Sequence, residues 1–252
     1  MISNWYSKNG LKINAAKTQF IVLGTREMTR RIPPISINFS GSTIARSDTV
    51  KNLGVWFDSD MSFATHTHDV VRRCTGTLCG LSHSRNSLPQ SVTTTLVQGL
   101  VFSVIRYCLS VYGASNITQR NRLQKLIRFG ARVISGRRKY DHVSDVIDEL
   151  GWLHADNMYI YHRLVLVSKM LATSEPQDLA ASLTTRQNVH GRDTRNSDRL
   201  ATPTIRSESG RRRFLYSAVT EYNDLPPALR DQSHGCFKPA LRKYLLQQQR
   251  EP

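Results

Sequence analysis

The apolar periodicity of this chain changes once, at the turn Asp58-Ser59-Asp60, and that change limits the folds open to it. Before the turn, apolar and β-branched residues come in short runs: Thr18–Gly24 (TQFIVLG), Ile35–Phe39 (ISINF), Ser42–Ala45 (STIA) and Val50–Phe57 (VKNLGVWF). Such runs, bounded by polar turns, predict strands. Thr18–Gly24 is expected as a buried strand, Arg26–Arg31 as a basic loop stopped by Pro33-Pro34, and Ser40-Gly41 as a hairpin turn. After the turn, apolar residues recur at helical spacing near Phe63–Arg85, Gln90–Tyr112, Thr118–Ser135, Val143–Leu150 and Asp156–Thr173. Pro89 is placed to open one of these helices, and Gly136 and Gly151 to close others. Two further helical pieces, near Arg213–Tyr222 and Phe237–Gln248, flank Asp224-Leu225-Pro226-Pro227. Between Thr184 and Gly210 the chain is rich in Arg, Asp, Asn, Ser and Thr and nearly empty of apolar residues, which predicts a loop or disordered linker.

Charge is the second constraint. The 252 residues carry 35 Lys and Arg against 19 Asp and Glu, a net charge of +16, which points to an anionic partner, nucleic acid first. The excess is local. Arg120, Arg122, Lys125, Arg128, Arg132, Arg137, Arg138 and Lys139 follow one another with no acidic residue among them. On a helix, Lys125, Arg128 and Arg132 share one face, and Leu123, Leu126, Ile127, Val133 and Ile134 the opposite, buried one. A row of cations on a rigid rod suits a phosphate backbone, where counterion release supplies affinity; a merely solvated helix face is the plainer alternative. Arg186, Arg192, Arg195, Arg199, Arg206, Arg211, Arg212 and Arg213 form a second concentration, read either as a segment that orders on RNA or as a soluble linker.

Catalytic chemistry is hard to find in the residues alone. Asp58 and Asp60 are two residues apart after a strand, which sends them to opposite sides and fits turn chemistry better than a metal pair. His66, His68, His234 and Cys236 lack partners at ligand spacing, and Cys74, Cys79, Cys108 and Cys236 form no CxxC pair, so neither a structural zinc nor a disulfide framework is expected. Met1–Lys17 has no apolar signal core, and the apolar stretch Leu96–Tyr112 is broken by Gln98 and Arg106; no membrane partner and an intracellular location are the expectation. Ile2, Trp5 and Tyr6 before Gly10 read as the last turns of a helix whose beginning is missing.

Several blocks in order carry a family resemblance. Trp5, Asn9-Gly10-Leu11-Lys12-Ile13-Asn14 and Lys17-Thr18, then a strand ending at Gly24, resemble motif D of the reverse transcriptases of non-LTR, jockey-like retrotransposons. Val50–Val55 resembles the LGV block, or primer grip, and Phe63–His68 the phenylalanine and histidine after it. HVSDVIDELGWL (His142–Leu153), YHRLVLVSKML (Tyr161–Leu171) and YNDLPPALR (Tyr222–Arg230) with Phe237-Lys238 resemble the thumb and C-terminal region. The likeness spans nearly the whole chain.

The resemblance implies an α+β fold. A short remnant of the polymerase palm over 1–61 is followed by a mainly helical thumb-like domain over 62–183, a flexible basic linker over 184–212 and a C-terminal helical segment over 213–252. It implies an accessory role for Lys17 beside the incoming nucleotide's phosphates, chemically reasonable for an ammonium near a leaving phosphate; the alternative is a lysine that ends a turn. Leu53, Gly54 and Val55 take the primer-grip position, with Gly54 either admitting a primer backbone or only bending a strand. Trp56 and Phe57 are read as packing beneath that hairpin. The partner implied is an RNA and DNA template–primer, together with the fingers and palm of the same polyprotein. The palm aspartates that hold magnesium in the intact enzyme have no counterpart here, so the chain is expected to bind no cofactor and to be inactive alone. A stand-alone nucleic-acid-binding helical module and a basic protein-interaction scaffold are the alternatives.

Overall fold

A computed structural model of the chain describes residues 2–12, 14–39, 41–190, 197–211 and 213–250. It is a mixed helix and sheet protein that divides into two compact units, Met1–Asp69 and Val70–Pro252. This agrees with an α+β class.

In the first unit, helix α1 (Ile2–Lys8) ends where Leu11 N–H bonds back to Tyr6 O and Gly10 takes φ 68°. Asn14 then accepts from Lys17 N–H and caps a single 3₁₀ turn. The strand expected over Thr18–Gly24 is absent. The run makes one parallel bridge, Phe20 to Arg46, and one more backbone bond, Gly24 N–H to Ser59 O. A strand needs a partner running its length, and here Leu23 is left exposed. The expected loop at Arg26–Arg31 is helix α2, capped by the Thr25 hydroxyl, with Glu27 in its first turn and Arg30 and Arg31 in its last, each at the end of the helix dipole that favours it.

Strands β1 (Ser36–Phe39) and β2 (Ser42–Ala45) form the expected hairpin, with Gly41 at φ 80° in the turn; Ser40, named with it, lies outside the described residues. The single strand read at Val50–Phe57 is instead folded back on itself. Strand β3 (Thr49–Asn52) pairs antiparallel with β4 (Val55–Asp58), and Asn52 faces Val55 across Leu53 and Gly54. Both turn residues have positive φ, 46° and 85°, as a two-residue type I′ turn requires. The sheet structure is therefore two separate antiparallel pairs. Asp58, the last residue of β4, is buried and caps the following segment, accepting from the Ser62 hydroxyl at 2.9 Å and from Thr65 N–H at 3.4 Å. Phe63 is buried edge-on against Phe57, with ring centroids 5.6 Å apart, which fits the packing role expected of Phe57. Helix α3 (Ala64–Ser84) runs across the division between the units.

The second unit is helical. The helix expected over Gln90–Tyr112 is broken into α4 (Gln90–Val97), a π-helical turn over Gln98–Phe102, α5 (Ser103–Arg106) and α6 (Leu109–Tyr112). The break is at Cys108, which takes φ 54°, and the buried Tyr112 hydroxyl bridges it by donating to Ile105 O. Then come α7 (Ile117–Ser135), α8 (Ser144–Glu149), α9 (Ala155–Thr173), α10 (Gln177–Ala180), α11 (Arg186–His190), α12 (Glu208–Arg211), α13 (Phe214–Asp224), α14 (Pro227–Arg230) and α15 (His234–Arg250).

Helix α9 is the hub, because α6, α7, α13 and α15 all pack on it. A helix surrounded this way buries most of its length: Met158, Tyr159, Leu164, Val167 and Met170 are all buried, while Asp156, Lys169 and the last turn stay exposed. Gly113, after α6, lets the chain approach closely: a Cβ there would lie 2.2 Å from the Tyr159 ring. The linker expected to be flexible is anchored where it is described. Leu200 is buried against Val167, Met170, Ala218 and Val219, and the Asn223 side chain bonds both its N–H and its carbonyl, at 3.0 and 2.9 Å. Residues 191–196 and 212 lie outside the described residues.

Arg163 is a buried cation on α9. It donates to the Tyr159 hydroxyl at 2.6 Å, to Ser217 Oγ at 2.7 Å and to the Glu221 carboxylate, which pins α13 to α9. Burial lowers its pKa, against the pull of Tyr159. Removing one partner of a buried ion pair strands the other, at a cost of about 3 kcal/mol. Urea denaturation of Arg163→Ala should show a loss of about that size, and Arg163→Met with Glu221→Leu a smaller one. A loss within error for Arg163→Ala contradicts the pinning role.

Candidate nucleic-acid interface

Helix α7 is built as its sequence demands. Asn116 Oδ1 caps its start by accepting from Gln119 N–H at 3.1 Å, and Gly136 ends it at φ 72°. Leu123, Leu126, Ile127, Ala131, Val133 and Ile134 are buried, as expected. Gly130 brings the helix against α4, since a Cβ there would lie 3.2 Å from Val97 Cγ1.

The eight basic residues of this region divide by what they touch. Arg120 pairs with Asp156 at 3.1 Å, and Arg137 grips the Asp145 carboxylate and the His142 carbonyl. Arg122 bonds the Gln119 side chain at 3.0 Å, and Arg132 donates twice to the Asp141 carbonyl, at 3.2 and 2.9 Å. These four hold structure. Lys125, Arg128, Arg138 and Lys139 are exposed, and among the described residues none of them forms a salt bridge. The carboxylates that divide the set come from α8 and α9, and the Asp141 carbonyl from the loop before α8, so the acid-free spacing of the basic run did not reveal them.

The loop after α7 is tightly tied. Arg132 and Arg137 bond its carbonyls, and Asp141 Oδ2 accepts from Arg138 N–H at 2.7 Å. It presents Tyr140, which is 85% exposed, with the Lys139 ammonium 5.3 Å from its ring centroid. Tyr140 is absent from the sequence-based candidates. Its signal is an aromatic directly after three cations, the combination that stacks on bases beside a phosphate backbone.

The remaining candidates lie in the first unit. Lys17 is exposed at the end of its one-turn helix, and Leu53, 83% exposed, and Gly54 form the β3–β4 tip while Val55 is buried. They belong to a different unit from the basic set. The magnesium ions implied by the family resemblance are not fitted by the residues present. Asp58 Oδ2 is spent on capping contacts, and among the described residues no three His, Cys, Asp or Glu side chains converge. Among the described residues no helix is long and apolar enough to cross a membrane. No family model, curated protein or solved structure matches the chain.

The loop's clamp has a defined acid limit. The Arg137 guanidinium bonded to Asp145 pulls that carboxyl from 3.8 down to about 2. A carboxyl depressed on folding lends its stabilisation above its unfolded pKa and loses it as pH falls through the folded value. Hydrogen exchange should find the Arg138 and Asp141 amides protected at pH 5 and progressively released between about pH 4 and pH 2. Asp145→Asn should release them at neutral pH, and unchanged protection in that variant rules the clamp out.

Proposed function

We propose that this chain is the template–primer-binding C-terminal part of an RNA-directed DNA polymerase of the non-LTR retrotransposon kind, with α7 and the loop after it gripping the nucleic-acid backbone. The observation that carries the binding reading is the set of outward cations, Lys125, Arg128, Arg138 and Lys139, beside the exposed Tyr140 on a loop held by its own hydrogen bonds. Lys125 and Arg128 are on adjacent turns of a rigid helix, so they meet successive phosphates without ordering a flexible segment. Tyr140 adds a flat face on which an unpaired base can stack.

The polymerase reading rests on the ordered blocks of resemblance, from Asn9-Gly10-Leu11 through Leu53-Gly54-Val55 to Tyr222–Arg230. The tight β3–β4 turn supports it, because a leucine held at φ 46° and left exposed gives up about 1 kcal/mol of backbone comfort that packing does not return. An exposed apolar tip of this kind suits contact with a primer sugar. Lys17 keeps the accessory role of meeting nucleotide phosphates. DNA synthesis belongs in this reading to an assembly that includes palm carboxylates, with magnesium bound there.

Fluorescence anisotropy with labelled RNA–DNA duplex tests the binding claim. Affinity should fall linearly with log salt, and Lys125→Glu with Arg128→Glu should weaken it at least about tenfold and lower the salt slope by about 1.5 to 2. Tyr140→Ala should weaken single-stranded RNA about fivefold or more and duplex little. Indifference to RNA and DNA favours a protein-interaction scaffold. In a primer-extension assay with magnesium and an RNA template, the purified chain should incorporate no nucleotide, and templated incorporation overturns its assignment as a non-catalytic part.

A further inference from the structure

A second basic surface runs along α15. An open groove of about 740 Å³ runs beside this helix, lined by Tyr161, Lys238, Arg242, Lys243 and Arg250 with Pro239, Leu246 and Gln247. Among these lining residues none is acidic. Residues 238, 242, 243, 246 and 250 fall at helical three- and four-residue spacing, so the cations form one stripe.

The stripe is placed firmly. Phe237, Leu241 and Leu245 bury the other face of α15. Asn157 donates to Leu245 O at 3.2 Å, and Gln249 accepts from His154 N–H at 2.8 Å while donating to Trp152 O at 3.2 Å, which fixes α15 against α9 and its approach. Arg242 donates to Gly151 O at 2.9 Å, so its guanidinium is held without losing its charge.

Asp148 on α8 meets Arg250 at the far end, at 4.0 Å, but around the Lys238–Arg242 end other elements add cations. Arg106, on α5, feels repulsion from Arg242, and after the loss of solvation that repulsion lowers its pKa. His162, beside Tyr161 on α9, is pushed down to about 4, first by burial and then by Arg106. The pKa of His234 is also lowered, first by lost solvation and then by Lys238 on α15 and Lys169 on α9. Like charges gathered from three helices are unfavourable unless an anion joins them.

We infer that the α15 groove is a second nucleic-acid site, which takes the phosphate backbone of a single strand along Lys238, Arg242 and Lys243 toward Arg250. The twelve helical steps from Lys238 to Arg250 span about 18 Å at 1.5 Å each. That length exceeds the reach of a free nucleoside triphosphate and serves several phosphates of an extended strand. Tyr161 supplies an aromatic side chain in the groove for a base. The inference rests on the nucleic-acid reading proposed above and extends it to residues outside α7.

The test uses the full chain and a labelled single-stranded RNA, with anisotropy measured over a range of salt. Lys238→Gln with Lys243→Gln removes two exposed charges and leaves Arg242 on Gly151 and the buried face of α15 intact; thermal melting checks the fold. The expected result is an affinity loss of at least about fivefold and a salt slope lower by about 1.4, two contacts at about 0.7 each for a single strand. Combined with Lys125→Gln and Arg128→Gln, the losses should multiply. If the wild-type chain binds and the α15 variant binds with the same affinity and slope, the groove is not a nucleic-acid site and the α7 reading stands. If the wild-type chain binds no oligonucleotide, the α7 reading falls and the groove's assignment with it. Inorganic polyphosphate that displaces the RNA equally well at equal phosphate concentration also overturns the assignment to a nucleic-acid strand.

Discussion

Helix α9 is buried against four other helices, and the arrangement of the second unit follows from that. Its apolar side chains serve α6, α7, α13 and α15 at once, so each of those helices finds its buried face satisfied by a common partner. A buried arginine in such a helix is expensive unless it is paired, and both terminal nitrogens of Arg163 are bonded, to Tyr159, Ser217 and Glu221, while its Nε is buried without a partner among the described residues. The ion pair sets which face of α13 meets α9. Through α13 it reaches further, because Asn223 on the same helix clasps Leu200 and draws a polar, arginine-rich segment onto the core.

A hub of this kind pushes charge outward. With the centre occupied by apolar contacts, the excess of cations is carried on helix faces that point away from α9, and the few carboxylates are spread among them. Asp145, Asp156 and Asp148 take up Arg137, Arg120 and Arg250 respectively, the last at 4.0 Å. Those pairs are at the surface and contribute little to stability. Their larger effect is selective: they remove some cations from the outward field and leave two separated groups, one on α7 and its loop and one along α15. The loop after α7 shows how both uses coexist, since Arg132 and Arg137 hold the backbone that displays Arg138, Lys139 and Tyr140.

The first unit follows a different logic. Its strands are short and paired only locally, as two hairpins whose turns are governed by positive φ at Gly41 and at Leu53-Gly54. Thr18–Gly24 has strand-like residues but only isolated bonds to Arg46–Ser47 and Ser59, so composition favourable to a strand was not enough to make one. Asp58, read from the sequence as turn chemistry in preference to half of a metal pair, is a buried cap for the start of α3.

Helices were legible in the amino-acid order because the pattern that marks them is local. Three- and four-residue spacing and terminal residues such as Gly136 and Pro89 located α3, α7, α9, α13 and α15 to within a few residues, and the start of α4. The cap that marks α2, Thr25 ahead of Glu27, was equally local and was read as loop because the segment is short and basic. Strand partners, the fold-back at Leu53-Gly54 and the break at Cys108 depend on what lies alongside in space. So does the fate of each cation. The order of residues established that α7 is amphipathic and basic; only the tertiary structure decided that Arg120 meets Asp156, that Arg137 meets Asp145, and that α15 and α9 gather a second set of charges. The reason is range: a helix repeats over neighbours along the chain, whereas electrostatic pairing depends on through-space distance between residues far apart in it.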